Sequence, residues 1–300
     1  MSETPVIVAE KLTRLYGKKL ALDAVDIVVP EGCVFGLVGE NGAGKTTFIK
    51  HCLGLLKPHG GSIRVFGLDP VQTPEKVLAG IGYLSEDHDL PNWMRVGELM
   101  RYMQAFYPKW DEKYAEELRD WFDLDPRAKV RTLSRGQRAK AGLLVALAHR
   151  PPLLLLDEPS SGLDAVVRRD ILGAIVRTVA EEGRTVVFSS HLLDEVERVA
   201  DRVVMISGGK AVLSDKLDDL KERHRAITLR FPEAVKAPPS WTGALGWSGH
   251  GRDWTVVCDG ALDSVKAQAV SAGAEVVSES VPSLEDIFVA RAGRKARTEE

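Results

Sequence analysis

No stretch of the sequence approaches the ~20 consecutive apolar residues that a helix needs to cross a bilayer. The longest obvious apolar run, Pro151 to Leu156, is far too short. The N-terminal segment Met1 to Val8 carries acid and proline and lacks a basic stretch ahead of an apolar one, so it does not read as a signal peptide. Cysteine is scarce: Cys33, Cys52 and Cys258 are widely spaced and odd in number. That excludes a disulfide framework and a metal-binding pattern, and leaves buried reduced thiols. Neither sign of charge dominates, with 40 Lys+Arg against 43 Asp+Glu and a formal charge of -3. Bulk electrostatics therefore give no sign of nucleic-acid binding, and no nucleic-acid partner is expected. Internal repeats and sustained heptads are also missing, which excludes solenoids and long coiled coils. Together these absences predict a cytoplasmic chain.

The composition is that of an ordinary globular protein, 44% hydrophobic and 28% charged. Three hundred residues suffice for one large α/β domain and a small appendage. Short apolar runs alternate with amphipathic segments over the first 220 or so residues. Val34–Val38, Leu153–Leu156, Thr185–Phe188 and Val203–Ile206 read as strands. Lys45 to Leu55 reads as a helix fading at Gly54. Asp164 can cap another whose apolar residues Val167, Ile171, Ile175 and Val179 recur every four positions, with Gly183 as its stop. Continuous apolar strands between such helices argue for a parallel sheet covered on both faces. Gly97–Tyr107 and Asp111–Phe122 read as two helices that interrupt this rhythm, a helical insertion within about 90–150. Past Lys221 the texture changes. Strands at Ala226–Phe231, Trp254–Cys258 and Ala274–Val277, with a helix at Ala261–Ala272, predict a small α+β domain over 225–290. The charged segment 291–300 is expected to be a disordered tail.

The segment Gly39-Glu40-Asn41-Gly42-Ala43-Gly44-Lys45-Thr46 fits the pattern G-x-x-x-x-G-K-[ST]. Glycines there let successive backbone N–H groups converge on phosphate oxygens, and the helix starting near Lys45 adds its positive end. Lys45 can reach the β and γ phosphates of a bound triphosphate, and the Thr46 hydroxyl can ligate Mg²⁺. Composition alone yields such a match in roughly one chain of this length in a hundred. A mere glycine turn before a surface lysine would not be framed by a strand and a helix. Every residue of the loop, and Thr47 after it, is a candidate nucleotide contact. Leu153–Leu156 runs into Asp157-Glu158, which places two carboxylates at the ligand-binding end of a parallel strand. Asp157 is expected to hold Mg²⁺. Glu158, facing the other way by strand alternation, is expected to polarise an attacking water as a general base. His191 follows the strand ending near Phe188 and the pair Ser189-Ser190, and can contact a γ-phosphate. Lone histidines are more often structural, and His51, His59, His88, His149, His224 and His250 are read that way.

These residues stand within a larger pattern. Leu133-Ser134-Arg135-Gly136-Gln137 resembles the signature motif of the ABC-type ATPases, and lies between the phosphate loop and Asp157-Glu158 as in that family. The run from Asp157 through Ser160-Ser161-Gly162-Leu163-Asp164 is similar to the family's acidic motif and D-loop. Ser190-His191 looks like its switch histidine, and Tyr16 matches the aromatic residue that stacks on adenine. The likeness covers residues 5–222 and implies a P-loop NTPase fold of the ABC ATPase type, a mixed sheet core with a helical subdomain. It implies ATP and Mg²⁺ as ligands, and a head-to-tail homodimer or heterodimer of ATPase subunits with ATP at the interface. Ser134, which by its position can cap a helix running towards Arg150, would with Gly136, Gln137 and Asp164 meet nucleotide across that interface. Two positions depart from the family. Arg135 replaces a signature glycine, so its side chain must turn away from the phosphate or add charge to it. Glu86 takes the place of a metal-binding glutamine, and its carboxylate can still reach Mg²⁺.

Because no membrane span is present, the resemblance implies a separate transmembrane permease and a place on the inner face of the cell membrane. Leu90, Trp93, Met94, Met100, Met103 and Phe106 can line a groove for a short partner helix or fill the core of the helical insertion. Pro282-Ser283-Leu284-Glu285-Asp286-Ile287-Phe288 resembles the end of ABC-2-type exporter ATPases, which favours export. The alternative is a soluble ABC-type ATPase acting on ribosomes or DNA. Such proteins usually carry two cassettes or a long coiled coil, and one phosphate loop is present here.

Overall fold

The computed structural model describes residues 5–296, apart from the side chains of Glu181 and of residues 292–296. The strands are β1 (Pro5–Tyr16), β2 (Lys19–Pro30), β3 (Val34–Val38), β4 (Gly60–Val65), β5 (Ile81–Leu84), β6 (Leu153–Leu156), β7 (Thr185–Ser190), β8 (Arg202–Ser207), β9 (Lys210–Lys216), β10 (His224–Val235), β11 (Ala244–Asp259) and β12 (Glu275–Ser280). The helices are α1 (Lys45–Cys52), α2 (Pro74–Leu78), α3 (Val96–Gln104), α4 (Glu112–Trp121), α5 (Arg135–Leu147), α6 (Ala165–Glu182), α7 (Leu193–Val199), α8 (Leu217–Arg223), α9 (Leu262–Ser271) and α10 (Leu284–Ala296). They fall into two compact units, Met1–Ser214 and Asp215–Glu300.

The first unit is built on a six-stranded sheet of order β5-β6-β7-β3-β8-β9. Its inner strands pair in parallel from β5 through β8. Every residue of β3, β6 and β7 is buried, as strands covered on both faces require. A second, antiparallel sheet of order β2-β1-β4 makes the domain mixed. Phe48, Ile49 and Cys52 of α1 join residues of both sheets in one apolar core. Because β7 lies between β6 and β3, the loops after all three strands emerge side by side. The register fixes this closely: Val38 pairs with Ser190, and Leu156 with Phe188.

The helices α3 and α4 interrupt the β–α rhythm between β5 and β6. Met100, offered by the sequence as a groove residue, is buried in this region's core, whereas Trp93 and Phe106 are exposed.

The second unit carries the antiparallel sheet β11-β10-β12 with helices α8, α9 and α10. The expected strands and helix of 225–290 fall on β10, β11, β12 and α9. The segment expected to be disordered from Arg291 instead continues α10 to Ala296, where alanine, arginine and lysine favour a helix and only Gly293 does not. Residues 297–300 lie outside the described residues.

Candidate active site

The phosphate loop links β3 to α1, and its shape depends on missing side chains. A Cβ on Gly39 would lie 2.2 Å from the Ile206 carbonyl, and one on Gly44 2.5 Å from that of Ala21. Gly42 and Gly44 adopt φ of 80° and 120°, the left-handed side of backbone space that glycine enters freely. The loop closes through Ala43 N–H donating to the Glu40 carbonyl, and α1 starts at Lys45 with no side-chain cap. A helix N-terminus without a cap has N–H groups to offer an anion. The cavity beside it, about 360 Å³, is lined by Tyr16, Lys19, Asn41, Gly42, Gly44, Lys45, Thr46, Thr47, Glu86 and Glu158, with Ala21. Tyr16 is half exposed, with the Arg14 guanidinium 5.0 Å from its ring centre, so its ring is accessible for stacking at the cavity edge. Lys19 was not anticipated. It lies in β2, outside the loop motif, and adds a cation to the cavity wall.

The two carboxylates after β6 take different partners. Asp157 accepts at Oδ1 from Ser189 Oγ (2.7 Å) and from Thr46 Oγ1 (3.2 Å). Burial raises its pKa, against the two hydroxyl hydrogen bonds that favour the charged form. A buried carboxylate beside a threonine hydroxyl is a hard oxygen set suited to a small divalent cation. Among the described residues no cluster of three His, Cys, Asp or Glu forms an all-protein cage.

Glu158 accepts at Oε2 from His191 Nδ1 (2.8 Å), and its Oε1 lies 3.0 Å from Lys45 Nζ. The same ammonium donates to the carbonyls of Gly39 (2.7 Å) and Glu40 (3.3 Å). The divergence of the two acids was expected from strand alternation, but the strand ends at Leu156. Glu158 instead turns through a left-handed backbone, φ 48°, a strained geometry for a residue with a Cβ. Ser189 holds that turn: its Oγ accepts from Glu158 N–H (2.9 Å) while donating to Asp157. The sequence hinted at Ser189 only through its place before the histidine.

Ser134, Gly136, Gln137 and Asp164 do not line this cavity. Ser134 caps α5 as expected, in a reciprocal box: its Oγ accepts from Gln137 N–H, and Gln137 Oε1 accepts from Ser134 N–H. Gly136 packs on α6, where a Cβ would lie 2.9 Å from Val167. Asp164 caps α6, accepting from Val166 and Val167 N–H. Arg135 turns towards the D-loop. A Cβ on Gly162 would lie 2.7 Å from its guanidinium. A further buried set had no sequence signal. Glu195 Oε2 accepts from Ser160 Oγ (2.5 Å) and Ser190 Oγ (3.2 Å), with Arg168 Nε 3.1 Å from Oε1.

Comparison with known proteins agrees with this geometry. The family described as "ABC transporter" matches residues 22–161. The uncharacterized ABC transporter ATP-binding protein YhaQ of Bacillus subtilis (strain 168) is 31% identical, covering 96% of this chain and 99% of its own. The daunorubicin/doxorubicin resistance ATP-binding protein DrrA of Streptomyces peucetius is 35% identical over 76% of this chain and 70% of its own. The solved structure of an ATP binding subunit of an ABC transporter superposes with a TM-score of 0.66 at 29% identity, covering 72% of this chain and 92% of that one. With a relative that similar along nearly its whole length, the chain belongs to the ABC transporter ATP-binding proteins, the ATP-hydrolysing subunits of these transporters.

Proposed function

We propose that this ATPase powers export through a separate transmembrane permease, working as a dimer of ATPase subunits on the inner face of the membrane. The observation that carries the catalytic part is the shared grip of Lys45 and His191 on Glu158, beside Asp157 and Thr46. Lys45 and the loop amides bind the β and γ phosphates, and Tyr16 stacks on the adenine. Glu158 takes a proton from the attacking water. His191 is oriented by its Nδ1 contact with Glu158, which leaves Nε2 for phosphate. Thr46, Asp157 and Glu86 would hold Mg²⁺, which when bound would neutralise phosphate charge. Ser134, Gly136, Gln137 and Asp164 serve the nucleotide of the opposite subunit. Their absence from this chain's own cavity supports that division.

The organisation follows the same reading: residues 5–222 form the ATP-binding domain, with its helical subdomain at about 90–150, and 225–290 form a small C-terminal domain. Among the described residues no helix is long and apolar enough to cross a membrane, so movement of cargo needs a partner that does. Exposed Trp93, Tyr102 and Phe106 supply an apolar surface for it. Export is favoured by Pro282–Phe288 and by the resistance function named for the Streptomyces relative. The test is co-expression with the multi-span partner. The chain should sediment with membranes only when that partner is present, and Trp93→Ser should weaken the association. Sedimentation with ribosomes in the partner's absence would overturn the transport reading.

A further inference from the structure

The second unit has its own cavity, of about 470 Å³, between the segment 239–248 and the first turns of α10. Its wall includes Trp241, Leu245, Trp247, Val257 and Val289. That size lies within the roughly 300–1,000 Å³ typical of small-molecule sites. Among the described residues no lysine, arginine or histidine lines it, whereas two carboxylates do, Glu285 and Asp286.

Each wall is held by contacts of its own. Gln268 of α9 grips the 239–248 segment from behind, its amide accepting from Thr242 N–H and donating to the Thr242 carbonyl, both at 3.0 Å. Gly246 lets β11 approach α10, since a Cβ there would lie 2.6 Å from Ala290 Cα. Trp241 and Trp247 meet edge to face, their centroids 5.0 Å apart, and Trp247 leans in turn on Trp254 at 6.5 Å. The aromatic rings are thus fixed before any ligand arrives, which lowers the entropy cost of binding.

The acids differ in what they already do. Asp286 Oδ2 accepts from the Ser283 N–H and hydroxyl, the ordinary start of a helix. Glu285 is exposed in the first turn at the cavity wall and is not part of that cap. Indole faces attract cations through their quadrupole, and a nearby carboxylate adds a monopole of the same preference. A preformed cavity with an aromatic wall, serines and two carboxylates among its described lining favours one kind of molecule, apolar in body and positive in charge. We propose that this cavity binds a lipophilic monovalent cation, with Trp241 and Trp247 taking the apolar body and Glu285 the charge. It is separate from the nucleotide cavity in both residues and chemistry.

Two ions of matched shape and opposite charge give a direct test. The full-length protein is titrated calorimetrically with tetraphenylphosphonium and, separately in sodium buffer, with tetraphenylborate. The cation should bind saturably at one site per chain, at least ~10-fold more tightly than the anion. Glu285→Gln, an exposed substitution with similar helix propensity, should lose most of that preference. Trp247→Ala should weaken the cation about tenfold or more, and Trp247→Phe less, because a smaller aromatic face remains. Equal affinity for the two ions would overturn the proposal. So would cation binding that is indifferent to Glu285→Gln, a result that stands even if Trp247→Ala fails to fold.

Discussion

Replacing Glu158 by Gln should separate nucleotide binding from hydrolysis, moving the two in opposite directions. In the structure Lys45 is not idle: its ammonium lies 3.0 Å from Glu158 Oε1, and the two side chains are 5% and 6% exposed. At that distance and an effective dielectric near 20, the gross attraction is about 5 kcal/mol. A phosphate arriving at Lys45 must share the ammonium with Glu158 and sit beside its negative charge. Glutamine keeps the shape and a polar oxygen but removes the charge. Most of the gross attraction is offset by other partners, since Lys45 also donates to two carbonyls. A net gain of about 1–2 kcal/mol remains, a ~5–30-fold lower Kd for ATP.

Hydrolysis should fall ~10²–10⁴-fold, because an amide cannot accept the water's proton. That corresponds to about 2.7–5.5 kcal/mol of barrier. Calorimetric ATP binding with magnesium gives the first quantity and single-turnover phosphate release the second. Size-exclusion chromatography with ATP should show a trapped dimer. Hydrolysis near the wild-type rate would remove Glu158 from the base role. Weaker ATP binding would refute the competition for Lys45.

Three further outcomes follow from the same geometry. Glu86→Gln should keep magnesium-dependent ATPase activity within a few-fold, and complete loss would mean that the carboxylate charge itself is required. Burial lowers the pKa values of His51 and His149 from the ordinary 6.5 to about 4. The folded state therefore binds these protons less readily than the unfolded chain, so the stability from neutral burial is present above pH 6.5 and lost as pH falls towards 4, by roughly 2–3 kcal/mol per ring. NMR titration of the two rings should show them neutral until about pH 4, and titration near 6.5 would contradict it. Glu195→Gln should lower the urea unfolding free energy by about 1–3 kcal/mol, because Arg168 loses its counter-charge while the hydroxyls keep an acceptor. An unchanged midpoint would show that the ion pair contributes nothing.

The legible part of the site is the part whose chemistry is contiguous. Gly39 to Thr46 carries its own turn geometry, its own cation and its own hydroxyl, so spacing along the chain suffices. Asp157 and Glu158 were legible as a pair because an apolar strand delivers them to the ligand end of the sheet. How they part was not, since the left-handed turn at Glu158 is held by Ser189, which is 31 residues away. Strand alternation gave the right divergence for a reason that does not operate past Leu156. The parallel strands were readable because they are apolar throughout. The antiparallel β1 and β2 were not, because register shifts and positive φ at Lys11 and Ala24 break their alternation. In the second unit, expected strands coincide with the cores of β10 and β11, while the glycine-rich start of β11 reads as loop.

The Glu195 cluster shows why such distant contacts matter to the chemistry. Ser160 stands two residues after Glu158, and Ser190 stands next to His191. One oxygen of Glu195 accepts from both hydroxyls. Arg168 attaches the other oxygen to α6, whose first residues are capped by Asp164. The carboxylate is fully buried, so releasing either serine would leave charge poorly satisfied in a low dielectric. The network is therefore either whole or costly. The backbone at His191 is held through its neighbour Ser190, which is tied through Glu195 to Ser160 in the D-loop. The 2.8 Å contact between His191 and Glu158 is in this way linked to the helix that Asp164 caps. A displacement of that helix thus has a side-chain route to His191 and Glu158 through one buried acid, beside the chain itself from Glu158 to Asp164.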